Sequence, residues 1–306
     1  MTIPNSNVDA KTKKAASFPY SLYMYFIQLR PRQWTKNLLV FAALIFSIKK
    51  SSMDMLFHSI AGFVLFCLVS SCVYILNDFV DREADRMHPE KRHRPMASGA
   101  IHPAGALLLG AALLVFSLVS AFAFSPLFAL LLLVYFLLNV GYSFKFKHVV
   151  IVDVLIVASG FVLRAIGGGL VIGVSLTPWF LICTMLLSVF LAVSKRRHEV
   201  ASLQAGKGAH RKVLDFYSIE LLNQLTSVVT TATIMSYALF TFTSGHTIHL
   251  MWTLIFVLYG VFRYLYLIHM ENKGGKPEKV LFEDRHILVT VMLYAFSVAL
   301  ILIYLE

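Results

Sequence analysis

Asn77-Asp78-Phe79-Val80-Asp81-Arg82-Glu83-Ala84-Asp85, followed six residues later by Lys91-Arg92-His93-Arg94-Pro95, lies between two long apolar stretches, residues 55–77 and 104–123. This reads as a charged loop closing a hairpin of two membrane spans. On a continuous helix, positions 78, 81 and 85 fall within about 60° of one another at 100° per residue, so three carboxylates are expected on one face. Like charges repel there unless a cation joins them. Oxygen ligands of this kind suit Mg²⁺, which takes one or two carboxylates together with water and substrate phosphate oxygens. A solvated acidic helix end could carry D-x-x-D equally well. Asn77, the third aspartate and the cations that follow favour a metal-bound diphosphate instead, with Asn77, Asp78, Asp81 and Asp85 as ligands.

The surrounding composition sets the environment. Hydrophobic residues make up 58% of the 306 and the mean hydropathy is +0.75, well above the soluble range. The chain is therefore expected to be an all-α membrane protein. Apolar runs long enough to span a bilayer fall near 33–49, 55–77, 104–123, 126–143, 149–171, 177–194, 221–243, 248–269 and 286–305. Pro31 and the polar run Arg32-Gln33-Trp34-Thr35-Lys36-Asn37 make the first the weakest and suggest an interfacial helix at 18–30 before it. Residues 1–17 carry Lys11, Lys13 and Lys14 without an apolar core, and read as a disordered cytoplasmic tail.

Lysine and arginine orient these nine spans, because short loops rich in them stay in the cytoplasm. Of the 27 such residues, 23 fall on the side of the acidic cluster, Lys49 and Lys50 on the other, and Arg164 and Arg263 within spans. The expected topology has the N-terminus in and the C-terminus out, in the inner (cytoplasmic) membrane, with the charged clusters facing the cytoplasm. A formal charge of +11 fits anionic lipids or phosphorylated ligands. Nucleic acid is excluded as a partner for want of a soluble domain.

Cys67, Cys72 and Cys183 show no metal-ligand spacing and read as packing residues. Asp153 and Arg164 are eleven residues apart, which returns them to within about 20° of one helix face and about 16 Å along the axis. Charge inside a membrane is costly and faces a polar interior, so Arg164 reads either as a structural partner of another helix or as an anion receptor. Arg263 lies close enough to a span end to snorkel. Lys195-Arg196-Arg197-His198 is expected from topology alone, and His88, His93 and His102 carry no assigned role.

The motif N-D-x-x-D-x-x-x-D, with Arg94-Pro95-Met96-Ala97-Ser98-Gly99-Ala100-Ile101 after it, resembles the first aspartate-rich signature of the UbiA-type intramembrane prenyltransferase superfamily. Arg30-Pro31-Arg32-Gln33-Trp34-Thr35-Lys36-Asn37, the run from Lys147 and His148 to Asp153 with Arg164 beyond it, and Gly274-Gly275-Lys276-Pro277-Glu278 with Asp284-Arg285 look more particularly like its decaprenyl-phosphate phosphoribosyltransferase branch. The similarity runs from about residue 28 to 304. It departs from ordinary members in the second motif, where they carry another aspartate-rich run and this chain has Tyr142, Lys147 and a lone Asp153.

The resemblance implies one transmembrane domain over 18–306, with nine helices around a central cavity open to the cytoplasm. It also implies Mg²⁺-dependent transfer of 5-phosphoribose from phosphoribosyl diphosphate to a polyprenyl phosphate. Asp78, Asp81 and Asp85 would then serve the leaving diphosphate. Lys36, Lys91, Arg92, Arg94, Tyr142, Lys147, Asp153 and Arg164 would bind the substrates. Two readings stay open beside it: a prenyltransferase acting on an aromatic or tetrapyrrole acceptor, and a membrane transporter, which the nearly uncharged outer loops disfavour.

Overall fold

The computed structural model describes residues 18–89, 91–204, 212–271, 273–275 and 277–305; the tail expected at 1–17 lies outside them. Every regular element is helical. In chain order these are α1 Phe18–Gln28, α2 Ala42–Phe46, α3 Met53–Val80, α4 Arg82–Met87, α5 Pro103–Phe124, α6 Pro126–Phe144, α7 Val152–Ile172, α8 Pro178–Gln204, α9 Ile219–Thr243, α10 Leu254–Met270, α11 Pro277–Glu283 and α12 Arg285–Tyr304. The starts follow local chemistry. Ser52, Ser218 and Asp284 accept the backbone N–H groups of Met55, Leu221 and Ile287, relieving orphan donors of the first turn. Pro103, Pro126 and Pro178 open α5, α6 and α8, where the missing N–H is not needed.

Among the described residues, eight helical segments, α3, α5–α9, α12 and Ile248–Met270, are long and apolar enough to cross a membrane. The first expected span differs: residues Pro31–Phe41 form a 3₁₀ helix that continues into α2. Such runs seldom exceed four residues, and this one is stitched to α3 by side chains. Trp34 Nε1 donates to Ser71 Oγ at 3.1 Å, and Asn37 Nδ2 reaches Ser70 Oγ at 3.2 Å. At roughly 2.0 Å per 3₁₀ residue and 1.5 Å per α residue, residues 31–46 rise about 30 Å.

Helix α3 is central, with 61% of its most apolar window buried, whereas only 17% of that of α5 is. Phe66, Val69, Phe128, Leu132 and Tyr135 form the main core with Val40 of the 3₁₀ segment. The Gly167-Gly168-Gly169 run of α7 lets the segment approach: a Cβ on Gly168 would lie 2.0 Å from the Val40 carbonyl oxygen.

Candidate active site

The acidic motif does not lie on one straight helix. α3 ends at Val80, Asp81 adopts φ −89°, ψ 5°, and α4 begins at Arg82. This kink separates the three carboxylates expected to share a face. Asp78 and Asp85, both buried, converge on Arg94, whose Nη1 lies 3.0 Å from Asp78 Oδ1 and 2.5 Å from Asp85 Oδ2. Asp81 turns away and takes the Lys147 ammonium at 2.5 Å. Among the described residues, no three acidic, histidine or cysteine side chains gather as a metal site.

Arg30 and Gln28, which the sequence reading did not single out as site residues, complete the surroundings of Asp78. Arg30 pairs with Asp78 Oδ1 and lies over the Tyr74 ring, 5.1 Å from its centroid. Gln28 Nε2 donates to Asp78 Oδ2 at 2.8 Å. Arg30 sits in the left-handed region at φ 55°, directly before Pro31, where the following ring disfavours compact conformations as well. Strain of this kind is held where surrounding contacts over-determine it, and it clusters at functional sites. The signal for Arg30 was present in the Arg-Pro dipeptide; Gln28, a lone glutamine at the end of an apolar, aromatic-rich helix, offered none. Gln28, Arg30, Asp78, His93 and Arg94 line a cavity of about 290 Å³ with Ile27 and Pro95.

The remaining predicted residues fall elsewhere. Asn77 is half-buried, and its carbonyl accepts the Asp81 N–H at 2.9 Å. Lys91 and Arg92 are exposed in the Lys91–His93 turn, and Lys36 is half-buried in the 3₁₀ segment. Arg164 is buried in α7, donating to Asn37 Oδ1 at 2.6 Å, the Gly160 carbonyl at 2.7 Å and Tyr135 Oη at 2.7 Å. Its partners are neutral, and through Asn37 it braces the segment that carries Lys36.

Asp153 is fully buried and does not reach the cavity. It is bound by Arg196 Nε at 2.6 Å and by Tyr217 Oη at 2.8 Å; Arg196 also pairs with Glu199 and reaches Tyr142 Oη at 3.4 Å. Arg196, read from sequence only as a topological charge, is thus the counter-ion of the buried aspartate. Burial pushes the Tyr217 phenol up to about 12, so it stays protonated and donates. Tyr217 Oη also accepts the N–H of Ile151 at 2.7 Å, steadying a β-branched residue at φ 68°. This network anchors the stretch between Lys147 and α7. Arg263 pairs with Asp284 at 2.8 Å. A larger cavity, about 600 Å³, lies at the opposite end of α7 beside Lys49, Gly173 and His246, and none of the predicted site residues lines it.

Chemically, the site joins hard carboxylate oxygens to arginine and lysine cations beside a small cavity. Such a set can hold a polyphosphate with its counter-charge. Residues 38–288 match the model of the UbiA prenyltransferase family. The chain is 35% identical to the decaprenyl-phosphate phosphoribosyltransferase of Mycolicibacterium smegmatis over 272 residues, covering 84% of this chain and 85% of that protein. It is 34% identical to the Corynebacterium glutamicum protein of the same name, covering 89% and 84%. A UbiA homologue from Archaeoglobus fulgidus, solved with GPP and Mg²⁺, superposes with a TM-score of 0.70 at 21% identity over 90% of this chain and 99% of that one.

Proposed function

Because this chain belongs to the UbiA prenyltransferase family, we propose, from that premise, that it transfers 5-phosphoribose from phosphoribosyl diphosphate to a polyprenyl phosphate such as decaprenyl phosphate, releasing diphosphate. Relatives at 34–35% identity over most of both chains carry that activity in their names. The observation that carries the reading is the cation density at the aspartates: Arg30 contacts Asp78, Arg94 contacts Asp78 and Asp85, and Lys147 contacts Asp81. Two phosphorylated substrates bring more negative charge into one pocket than a prenyl diphosphate and a neutral acceptor would.

The donor set fits a magnesium ion, since two carboxylates, Asp78 and Asp85, already converge on a single positive group and Mg²⁺ uses one or two carboxylates beside phosphate oxygens. Bound there, it would neutralise charge developing on the departing diphosphate. Arg30, Arg94 and Lys147 grip phosphate oxygens, arginine through paired N–H donors. Lys36, Lys91, Arg92 and the Tyr142 edge supply further polar contacts around the substrates. Arg164 and Asp153 act from behind, positioning Lys36 and Lys147. The bond from the anomeric carbon to the diphosphate oxygen breaks with its electron pair leaving on diphosphate, and an oxygen of the lipid phosphate bonds to that carbon. The attacking phosphate is already ionised, so no general base is needed.

Residues 31–46 supply the ninth crossing, stretched to about 30 Å by 3₁₀ geometry. With nine crossings the lysine and arginine bias puts the N-terminus and the active site in the cytoplasm and the C-terminus outside. The chain is then one domain from residue 18 onward in the cytoplasmic membrane, entered sideways by the lipid tail. Purified protein incubated with Mg²⁺, radiolabelled phosphoribosyl diphosphate and decaprenyl phosphate should move label into the organic phase. Consumption of an isoprenoid diphosphate instead, with no phosphoribosyl lipid, would overturn the proposal.

A further inference from the structure

Gln28 closes α1 and is 1% exposed, one of the largest fully buried side chains of the protein. It lines the 290 Å³ cavity beside Arg30, Asp78, His93 and Arg94. Its Nε2 donates to Asp78 Oδ2 at 2.8 Å. That bond fixes which end of the amide is nitrogen, because a carboxylate oxygen cannot pair with Oε1. Oε1 is buried and has no hydrogen-bond partner among the described residues, the one such side-chain atom in the lining of this cavity. Buried acceptors are otherwise satisfied almost everywhere in a folded chain, so an orphan needs an explanation.

The chemistry of the neighbours narrows what can satisfy it. Arg30 and Arg94 direct donors at Asp78 and Asp85. Ionised phosphate and diphosphate oxygens accept hydrogen bonds and have none to give. A hydroxyl can give one, and a ribose carries hydroxyls where an isoprenoid chain has none. We infer that Gln28 is a specificity-determining residue that accepts a hydrogen bond from a ribose hydroxyl of the donor, selecting a sugar diphosphate over an isoprenoid diphosphate. This rests on the phosphoribosyl-transfer reading above.

The test compares kcat/KM for phosphoribosyl diphosphate and for its 2-deoxy and 3-deoxy ribose analogues, in the purified full chain with decaprenyl phosphate as acceptor. Wild type should lose roughly 10- to 100-fold on removal of one of the two hydroxyls. Gln28→Met should be poorer with the natural donor and lose less than about threefold more with either analogue, since its acceptor is already gone. Should the methionine variant fail to fold, Gln28→Asn, whose amide is drawn back by one methylene, should show the same loss of discrimination. Equal sensitivity of wild type and Gln28→Met, or of wild type and Gln28→Asn, to both deletions would sink the role of Gln28 while leaving phosphoribosyl transfer standing. A wild type that transfers no phosphoribose would sink both.

Discussion

The Lys147 ammonium lies 2.5 Å from Asp81 Oδ1 across 66 residues of sequence, tying the turn between α6 and α7 to the kink between α3 and α4. Two expected features of the motif are altered by this one contact. Asp81 leaves the face it was to share with Asp78 and Asp85, and Lys147 becomes a fixture of the site.

Lys147→Met and Asp81→Asn should each lower kcat/KM for phosphoribosyl transfer by about 100-fold or more, of the order seen when a group that stabilises charge in the transition state is removed. Both variants should fold. Asp81 is 31% exposed but Lys147 only 10%, so losing one partner should cost more than the roughly 1 kcal/mol of a surface pair. The check is steady-state transfer set beside detergent-solubilised thermal unfolding; activity within threefold of wild type would remove the pair from the mechanism.

The Asp153–Arg196 pair should behave in the opposite way. Asp153 is fully buried, so Asp153→Ala leaves an ill-paired guanidinium inside the protein, at about 3–5 kcal/mol. Asp153→Ala with Arg196→Met should recover part of that loss. Unfolding midpoints of the two singles and the double form the cycle, and additive losses would show that the pair is not coupled.

Gly168→Ala should cut the yield of folded protein sharply, because the new methyl would sit 2.0 Å from a backbone oxygen of Val40 and the 3₁₀ segment cannot withdraw without breaking its bonds to α3. Gly260→Ala meets nothing nearer than 3.8 Å and should be neutral or slightly stabilising, as alanine is favoured within a helix. Size-exclusion profiles of the two variants in detergent distinguish them.

Asp284 caps α12 and accepts from Arg263, and the Arg263 hydrogen bond holds its carboxyl below the usual 3.8. A group with a depressed folded pKa contributes stability that is fully present above its unfolded value and is lost as pH falls through the folded one. Stability from this group should therefore be flat between pH 7 and 5 and decline only below about 4. Asp284→Asn, which can still cap, should remove that acid-limb contribution. Asp284→Ala should also cost about 1 kcal/mol at neutral pH. Unfolding midpoints measured from pH 3 to 7 report both.

Much of the architecture was legible in the chain. Among the described residues, eight of the nine expected spans match helices to within a few residues in most cases, and a helix, α1 at Phe18–Gln28, falls where one was expected at 18–30. The first expected span is instead a 3₁₀ helix that runs into α2, and Trp34, Thr35, Lys36 and Asn37 weaken its hydropathy. Trp34 and Asn37 place their polar atoms on Ser71, Ser70 and Arg164, which no local window contains. The same holds at the site. Asp78 and Asp85 announced themselves by spacing, whereas Gln28 and Arg30 reach Asp78 from 50 and 48 positions away.

The sequence by itself determined that this chain lives in a membrane and where its acids and bases crowd, because hydropathy and charge bias are sums over neighbouring residues. Only the tertiary structure decided which cation meets which carboxylate: Arg94 with Asp78 and Asp85, Lys147 with Asp81, Arg196 with Asp153. Those choices depend on the kink at Asp81 and on how closely α7 packs against residues 31–41. Both are set by contacts between segments far apart in the chain, and a one-dimensional pattern does not encode such distances.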